Sequence, residues 1–362
     1  MSYVFWSVIS FLARGLFSLR YKVRTKGCFE ALQAKLDGGI LFLPNHSAHM
    51  DPPLLFFYFW PKYRMRPLVI EYIYRMGPLK FLMQLTKAIS IPNFDTSVNQ
   101  YKVYKAQESL NQVAEGLKKG ENFILYPAGR LKYSGRETLG GASGAHAIVK
   151  ECPHVHVLLI RTTGLWGSTF SRAFEGKSLS LGASFKHAVK AALKNFIFFL
   201  PRREILIECE LDPKDLPKTG TRVEFNQYLE KWYNQYPDGK GGVVDSEPLS
   251  LVSYSFWKKD LPEMKSLEPK VKGKKQVEEL SAENKDKIAK EICRILDNPS
   301  LQLAPEATLA ADLGMDSLNI AELIAYLSQN YHAEDLRPED LVTVVNVYEA
   351  AAGGYQSDRK VA

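Results

Sequence analysis

ILFLPNHSAHMD, residues 40–51, joins a five-residue apolar run to a short segment holding two histidines and an aspartate. A run of this length, bounded by turn-forming residues, fits a buried strand. A histidine leaving that strand and an aspartate five positions on meet when the turn folds back. Histidine exchanges protons near neutral pH, and a neighbouring carboxylate fixes its tautomer and steadies the imidazolium. His46 and Asp51 are therefore candidates for a general-base pair. His49 is the rival base, or an ordinary loop residue.

Outward from this stretch the pattern repeats. Apolar runs at 40–44, 67–71, 89–91, 122–126, 155–161 and 204–210 predict strands. Helical periodicity predicts helices at 52–60, 73–87, 97–119, 143–150 and 221–235. This βαβ-type rhythm is that of an α/β domain. The stretch 187–203, HAVKAALKNFIFFLPRR, brackets an apolar cluster with basic residues. It reads as a second membrane-contacting patch or as a buried element of the core.

The N-terminus has no charged segment ahead of its apolar run and no small-residue cleavage site after it, so it does not read as a signal peptide. Residues 3–19 span about 25 Å as a helix and include Arg14. That is short of the ~20 apolar residues of a full span. Ser7, Ser10, Arg14 and Ser18 form a narrow polar stripe at helical spacing, and Arg20, Lys22, Arg24 and Lys26 follow. The pattern is that of a helix lying in one membrane leaflet with a basic collar. An amphipathic core helix is the other reading.

Charge divides the chain. Residues 276–355 hold 5 Lys and Arg against 15 Asp and Glu, a net −10, and residues 1–275 carry +16 of a total of +7. A basic body suits anionic lipid headgroups or an acidic protein; mixed with membrane-type aromatics, it does not point to nucleic acid. The four cysteines are scattered, without close pairs or nearby histidines. That spacing argues against a zinc site or a disulfide framework and fits a reducing compartment. The Lys- and Pro-rich stretch 258–277 is a solvated linker. The expected boundaries are an interfacial helix and collar at 1–26, an α/β domain at 27–250, a linker at 251–277 and a helical domain at 278–355.

In the acidic segment, a first helix is expected at 282–296, with Ile288, Ile292, Ile295 and Leu296 on one face. After a long loop, LGMDSLNIAELIAYL, 313–327, opens a second helix at Asp316-Ser317. Taken alone, Asp-Ser is good helix-cap chemistry. The long loop, the L-G-x-D-S-L signature at 313–318 and the acidic surface together resemble an acyl carrier protein over about 80 residues. The resemblance implies an all-α four-helix domain with 4'-phosphopantetheine bound covalently to Ser317. It also implies a phosphopantetheinyl transferase as partner.

With an acyl thioester as the expected partner, Asn45-His46-x-x-x-x-Asp51 resembles the N-H-x-x-x-x-D motif of the PlsC-like glycerolipid acyltransferases, over about residues 20–235. The resemblance implies that His46 deprotonates an acceptor hydroxyl and Asp51 orients it. ISIPNFD, 89–95, matches the second block through Asp95, but no Arg follows and no site role is assigned. FILYPAGRLKYSG, 123–135, is similar to the family's F-P-E-G-T-R block. Gly129 lets the backbone approach a ligand, and Arg130 and Lys132 are candidates to hold the acceptor's phosphate. A solvated basic loop is the alternative. The family's Glu is Ala128 here, and a methyl accepts no hydrogen bond, so acceptor recognition must differ or the site is impaired. The fourth block, a strand at 155–160 followed by RTTGLWGS, resembles the acyltransferase part of fused acyl-ACP synthetase-acyltransferases. There Trp166 lines an acyl tunnel or simply packs.

These resemblances imply an α/β acyltransferase domain with an N-terminal interfacial helix, plus an all-α carrier domain. The activity implied is transfer of an acyl group from acyl-ACP, or from the chain's own carrier, to a lysophospholipid hydroxyl, with no metal. Opposed charges on body and carrier would support docking. The implied location is the cytoplasmic face of the inner membrane. Two alternatives stand: a catalytically silent domain that anchors a carrier, and the front part of a longer enzyme with an adenylating domain, with an acyl-ACP synthetase as further partner.

Overall fold

In the computed structural model the run 40–44 is a strand with every residue buried. The structure describes residues 3–28, 36–93, 100–132, 135–140, 142–173, 186, 189–190, 202–235, 244–249, 251, 280–296, 301, 303–309, 312–313, 315, 317–333, 336 and 340–353. The expected linker beyond 251, most of the 187–203 patch, and Asp95 and Asp316 lie outside the described residues. The chain divides into two bodies. Met1–Pro67, Ala114–Leu139 and Val149–Glu268 form the first, and Leu68–Val113, Gly140–Ile148 and Pro269–Ala362 form the second.

The elements in chain order are α1 (Tyr3–Ser18), β1 (Tyr21–Lys26), β2 (Ile40–Pro44), α2 (Asp51–Tyr63), β3 (Arg66–Ile70), α3 (Glu71–Tyr74), α4 (Gly77–Leu85), β4 (Ile89–Ile91), α5 (Gln100–Lys118) and β5 (Phe123–Ile124). Then come α6 (Gly144–Glu151), β6 (His156–Thr163), β7 (Arg203–Leu211), α7 (Arg222–Asn234), α8 (Ala282–Ile295), α9 (Ser317–Tyr331) and α10 (Val344–Ala351). The expected single helix at 73–87 is two. Gly77-Pro78 restarts it, because proline fits the first turn of a helix, where its missing N–H is not needed.

In the first body β2 is central. It pairs in parallel with β6, Ile40↔His156 through Pro44↔Ile160, and with β5, Leu41↔Phe123 and Phe42↔Ile124. Flanked on both sides, it can be apolar throughout, which is why its sequence does not alternate. β6 pairs antiparallel with β7, and β7 parallel with β1. β3 enters beside β5 at Arg66 and Pro67.

The basic collar of the sequence reading is corrected here: residues 21–26 are strand β1. Tyr21-Lys22-Val23-Arg24-Thr25-Lys26 alternates along a two-residue period, and Tyr21 is buried. Lys22 pairs with Glu204 at 2.8 Å and Lys26 with Glu208 at 3.3 Å, both on β7. The cysteine reading is also corrected. Cys28 and Cys209, 181 residues apart, form a disulfide. The β1–β7 register, Lys26↔Glu208, brings the two together across a distance that linear spacing conceals. Gly27 (φ +70°) lets the chain pass against the Cys209 carbonyl, where a Cβ would collide. Cys152 and Cys293 are free thiols.

Helix α1 forms as expected, and two residues of its polar stripe are turned to the body. Ser10 is buried, and Arg14 donates to the carbonyls of Phe57 (3.1 Å) and Tyr58 (2.9 Å) on α2. Trp6 meets Trp60 edge to face at 4.6 Å. Val8, Phe11, Leu12 and Leu16 are left exposed, Phe11 at 76%. No described helix is long and apolar enough to cross a membrane.

In the second body Leu68–Ile70 of β3 pairs in parallel with β4, and Ser109 Oγ of α5 donates to the Ser90 carbonyl at 3.0 Å. The acidic segment contributes three described helices around their own core, in which Ile288, Ile292, Leu309, Met315, Leu323, Leu327, Val344 and Val347 are fully buried. Ser281 caps α8 and Thr343 caps α10 with a reciprocal box through Asn346. Arg294 of α8 holds Glu322 of α9 at 2.8 Å. The helical class is as expected, and three of the four expected helices fall among the described residues.

Candidate active site

The chain leaves β2 still tied to the sheet. Asn45 N–H donates to the Ile160 carbonyl at 3.1 Å. Its side chain then acts as one more rung: Oδ1 accepts from Thr162 N–H at 2.7 Å, and Nδ2 donates to the Thr162 carbonyl at 3.1 Å. A buried amide satisfied on both ends holds the next residue in place, at about 0.5–1.5 kcal/mol per bond. That next residue is His46.

His46 is gripped along its main chain as well. Its N–H donates to Glu137 Oε2 at 3.0 Å, and its carbonyl accepts from Lys132 N–H at 2.9 Å. The ring lies 4.2 Å from the Tyr126 ring. His46 Nδ1 faces Asp51 Oδ2 at 3.2 Å. Asp51 is the first residue of α2, followed by Pro52 and Pro53, and it is fully buried. Its Oδ2 also accepts from Ala48 N–H at 2.9 Å, while Oδ1 has no partner. With Nδ1 turned to a carboxylate, the proton of the neutral ring sits on Nδ1 and Nε2 is left to accept. The spacing of the motif therefore brings an imidazole and a buried carboxylate together at the carboxyl end of a central strand, where open α/β sheets place their ligands.

His49 is placed otherwise. Its backbone N–H donates to the Phe170 carbonyl at 3.0 Å. Burial, then the His46 and Arg172 charges, lower its imidazole to about 4. At neutral pH it is uncharged and weakly basic, which suits a general base poorly.

The loop after β5 turns at Gly129 (φ +64°), whose N–H returns to the Tyr126 carbonyl at 2.9 Å. A β-carbon would strain this conformation even though the space around it is open. Gly129 and Arg130 are exposed. Lys132 is not on a solvated face, and that part of the basic-loop expectation is corrected. It is 4% exposed, its Nζ lies 3.3 Å from the Asp245 carboxylate and 3.2 Å from the Asp245 carbonyl, and it sits 4.8 Å over the Trp166 ring. Trp166 is itself buried. Asp245 Oδ1 accepts from Gly164 N–H at 3.2 Å, so Lys132 ties the 129–132 loop to the turn after β6. Arg161, also buried, holds Glu208 and the carbonyls of Trp232 and Gln235.

Three contributors escaped sequence reading. Tyr126 is partly exposed, but its hydroxyl is sealed and unpartnered; burial, then Asp51, raise that phenol well above its ordinary value. Glu137 is 2% exposed and reaches His46 from a loop with no motif of its own. Asn234 of α7 holds Glu137 on both sides, accepting its N–H at 2.8 Å and donating to its carbonyl at 2.7 Å. A buried Glu next to loop glycines carries no periodic signal, so only the fold reveals it.

In the acidic segment, Ser317 is the first residue of α9. The first turn of a 15-residue helix carries unsatisfied N–H groups and a partial positive charge. A phosphodiester on Ser317 fits that position.

Comparison with known proteins gives two matches to family models: residues 22–161 match the family described as Acyltransferase, and residues 286–352 match that described as Phosphopantetheine attachment site. Among solved structures, the chain is similar to the crystal structure of the 1-acyl-sn-glycerophosphate (LPA) acyltransferase PlsC from Thermotoga maritima. The identity is 17%, the alignment covers 63% of this chain and 76% of that chain, and the TM-score is 0.40. No curated protein matches.

Proposed function

The chain joins an acyltransferase-family domain to a phosphopantetheine-attachment domain, and from that premise we propose that it moves an acyl group from a carrier thioester to the hydroxyl of a lysophospholipid. The observation that carries this reading is the His46–Asp51 pair, enclosed at the carboxyl edge of β2 with Nε2 left to accept. Phosphopantetheine on Ser317, or on a separate acyl-ACP, would supply the acyl thioester. His46 Nε2 takes the acceptor's hydroxyl proton while Asp51 holds Nδ1–H and steadies the imidazolium. The acceptor oxygen forms the ester bond, the carbon–sulfur bond breaks, and the departing sulfur takes the proton back from His46. General-base action of this kind contributes roughly 10²–10⁴ in rate.

Arg130 is the residue proposed to meet the acceptor's phosphate, since Lys132 is held by Asp245. Gly129 gives the acceptor room to approach. The outward apolar face of α1, Val8, Phe11, Leu12 and Leu16, supports a place at a membrane surface, with the helix lying in one leaflet.

The test loads Ser317 with a labelled palmitoyl group through a phosphopantetheinyl transferase. Mixed micelles of lysophospholipids with different headgroups are then added. Label is expected in diacyl lipid with the wild type and on the carrier with His46→Ala. Label that stays on the wild-type carrier with every acceptor would sink the proposal. Arg130→Ala is expected to raise KM for phosphate-bearing acceptors about tenfold at nearly unchanged kcat.

A further inference from the structure

Glu137 is a costly residue to keep where it is. A carboxylate withdrawn from water is strongly disfavoured unless its oxygens are paired. Glu137 is 2% exposed, and only one of its oxygens is used: Oε2 accepts the His46 N–H at 3.0 Å, while Oε1 is sealed and has no partner. No described cation lies within ion-pair distance of it. Lys132, on the same loop, is spent on Asp245. A residue needed only to satisfy one backbone N–H could be a neutral amide.

The mount of Glu137 is rigid. Asn234 bonds its N–H and its carbonyl, and two residues later Leu139 N–H donates to Glu230 Oε1 at 2.6 Å. Helix α7 therefore clamps this piece of loop twice. Tyr233, on the same helix, donates to the Leu43 carbonyl at 2.8 Å, just before the site. The carboxylate is held from one side by α7 and points into the turn that carries the base. Its electrostatic partners are those of the site. Burial, with a smaller push from Asp51, leaves its carboxyl above the ordinary value, while the His46 N–H, the His46 charge and Lys132 pull against that rise.

We propose that Glu137 is a positioning residue for the reaction: it fixes the main chain of His46 and sets a second negative charge, beyond that of Asp51, beside the imidazolium that His46 becomes. This rests on the function proposed above. The groups facing His46 are Asp51 from α2, His49 from the preceding loop, Tyr126 after β5, and Lys132 and Glu137 from the loop beyond. Among them Asp51 and Glu137 are the acids. Lys132 opposes them but has its own counter-ion, so the charge of Glu137 remains available to the imidazolium.

Two variants separate the parts of this role. Glu137→Gln keeps an acceptor for the His46 N–H and removes the charge. Glu137→Asp keeps the charge and shortens the reach. The readouts are the pH profile of kcat/KM in the loaded full-length chain and the titration of the His46 ring by NMR, which needs no turnover. For Glu137→Gln the acid limb and the ring titration are expected to move to lower pH by about half a unit or more, because loss of a nearby negative charge disfavours the imidazolium. kcat is expected to fall about tenfold with KM nearly unchanged. Glu137→Asp is expected to keep the limb near its wild-type position. A Gln variant with wild-type kcat and titration would reduce Glu137 to a backbone acceptor and overturn the proposal. So would an Asp variant whose limb moves down by a similar amount, the decisive arm if Gln does not fold. Absence of transfer in the wild type would defeat the proposed function, while the NMR titration would still decide the case of Glu137.

Discussion

Among the described residues of the first body there are two histidine–aspartate pairs, and by distance the one away from the carboxyl end of β2 is the closer. His156 Nδ1 lies 2.6 Å from Asp212 Oδ2, against 3.2 Å for His46 and Asp51. The difference lies in position and in how the carboxylate is used. β2 and β6 run parallel, with Ile40 opposite His156. His156 therefore begins its strand, whereas His46 follows the end of β2, and ligands of open α/β sheets gather at the carboxyl ends. Asp212 is also shared: its Oδ1 accepts from Val157 N–H at 2.9 Å and meets Lys218 at 3.4 Å. Asp51 has no described cation but His46, and its side chain is 0% exposed against 33% for Asp212. A short hydrogen bond does not make a base. The proposed function asks instead for an enclosed carboxylate behind a ring whose far nitrogen has no hydrogen bond of its own, and among the described residues that is the arrangement at His46 and Asp51.

The sharpest way to break this comparison is to remove each ring in turn. His46→Ala is expected to lower acyl transfer by roughly 10²–10⁴, and His156→Ala to leave it within about twofold, since half-buried positions at the far end of the strand seldom matter to turnover. Equal losses in the two variants would erase the distinction drawn between the pairs.

The acids come next. Asp51→Asn leaves the ring in place, and its amide oxygen can still accept from Ala48 N–H, but the amide no longer fixes the Nδ1–H tautomer, so a loss of up to about 10⁴-fold in kcat is expected. Asp212→Asn should leave turnover alone and act on stability. Burial raises the Asp212 carboxyl, but His156, the Val157 N–H and Lys218 outweigh it, so the group lies below its ordinary value. Its contribution is therefore present above the unfolded value, about 4, and is lost as pH falls through the lower folded value. Melting curves should separate Asp212→Asn from the wild type at pH 7 and bring them together in strong acid. A constant gap at every pH would mean the pair contributes only packing.

Much of the site was legible because its chemistry coincides with a pattern. β2 is an unbroken apolar run, Asn45, His46 and Asp51 follow it at motif spacing, and Ser317 opens a helix behind a loop of turn residues. What was missed depends on partners far along the chain. β1 has a strand's alternation, but its basic residues drew the reading toward a membrane surface; the acids that pair them, Glu204 and Glu208, come about 180 residues later. Cys28 and Cys209 meet only through the β1–β7 register. Lys132 was read with Arg130 as a phosphate-binding candidate because its counter-ion, Asp245, lies 113 positions on. Glu137 had no signal until α7 placed Asn234 against it.

The smallest expected effect concerns His49, which tests whether the enclosure around His46 is as tight as the comparison requires. An ordinary imidazole, as in the unfolded chain, takes its proton near pH 6.5. In the folded chain burial, helped by His46 and Arg172, holds His49 uncharged down to about 4. Between those values the unfolded state binds more protons, so stability falls as pH drops through the window. This loss ends close to where that of Asp212 begins, and the acid limb should show the two in sequence. His49→Gln, which keeps a polar group without an ionisable one, should flatten the limb between pH 6.5 and 4 and leave the part below 4 unchanged. Urea melts across that range would measure it. Superposable wild-type and variant limbs would mean that His49 accepts its proton as readily in the fold as out of it. The wall beside His46 would then admit water, and the contrast with the open His156 pair would narrow to position alone.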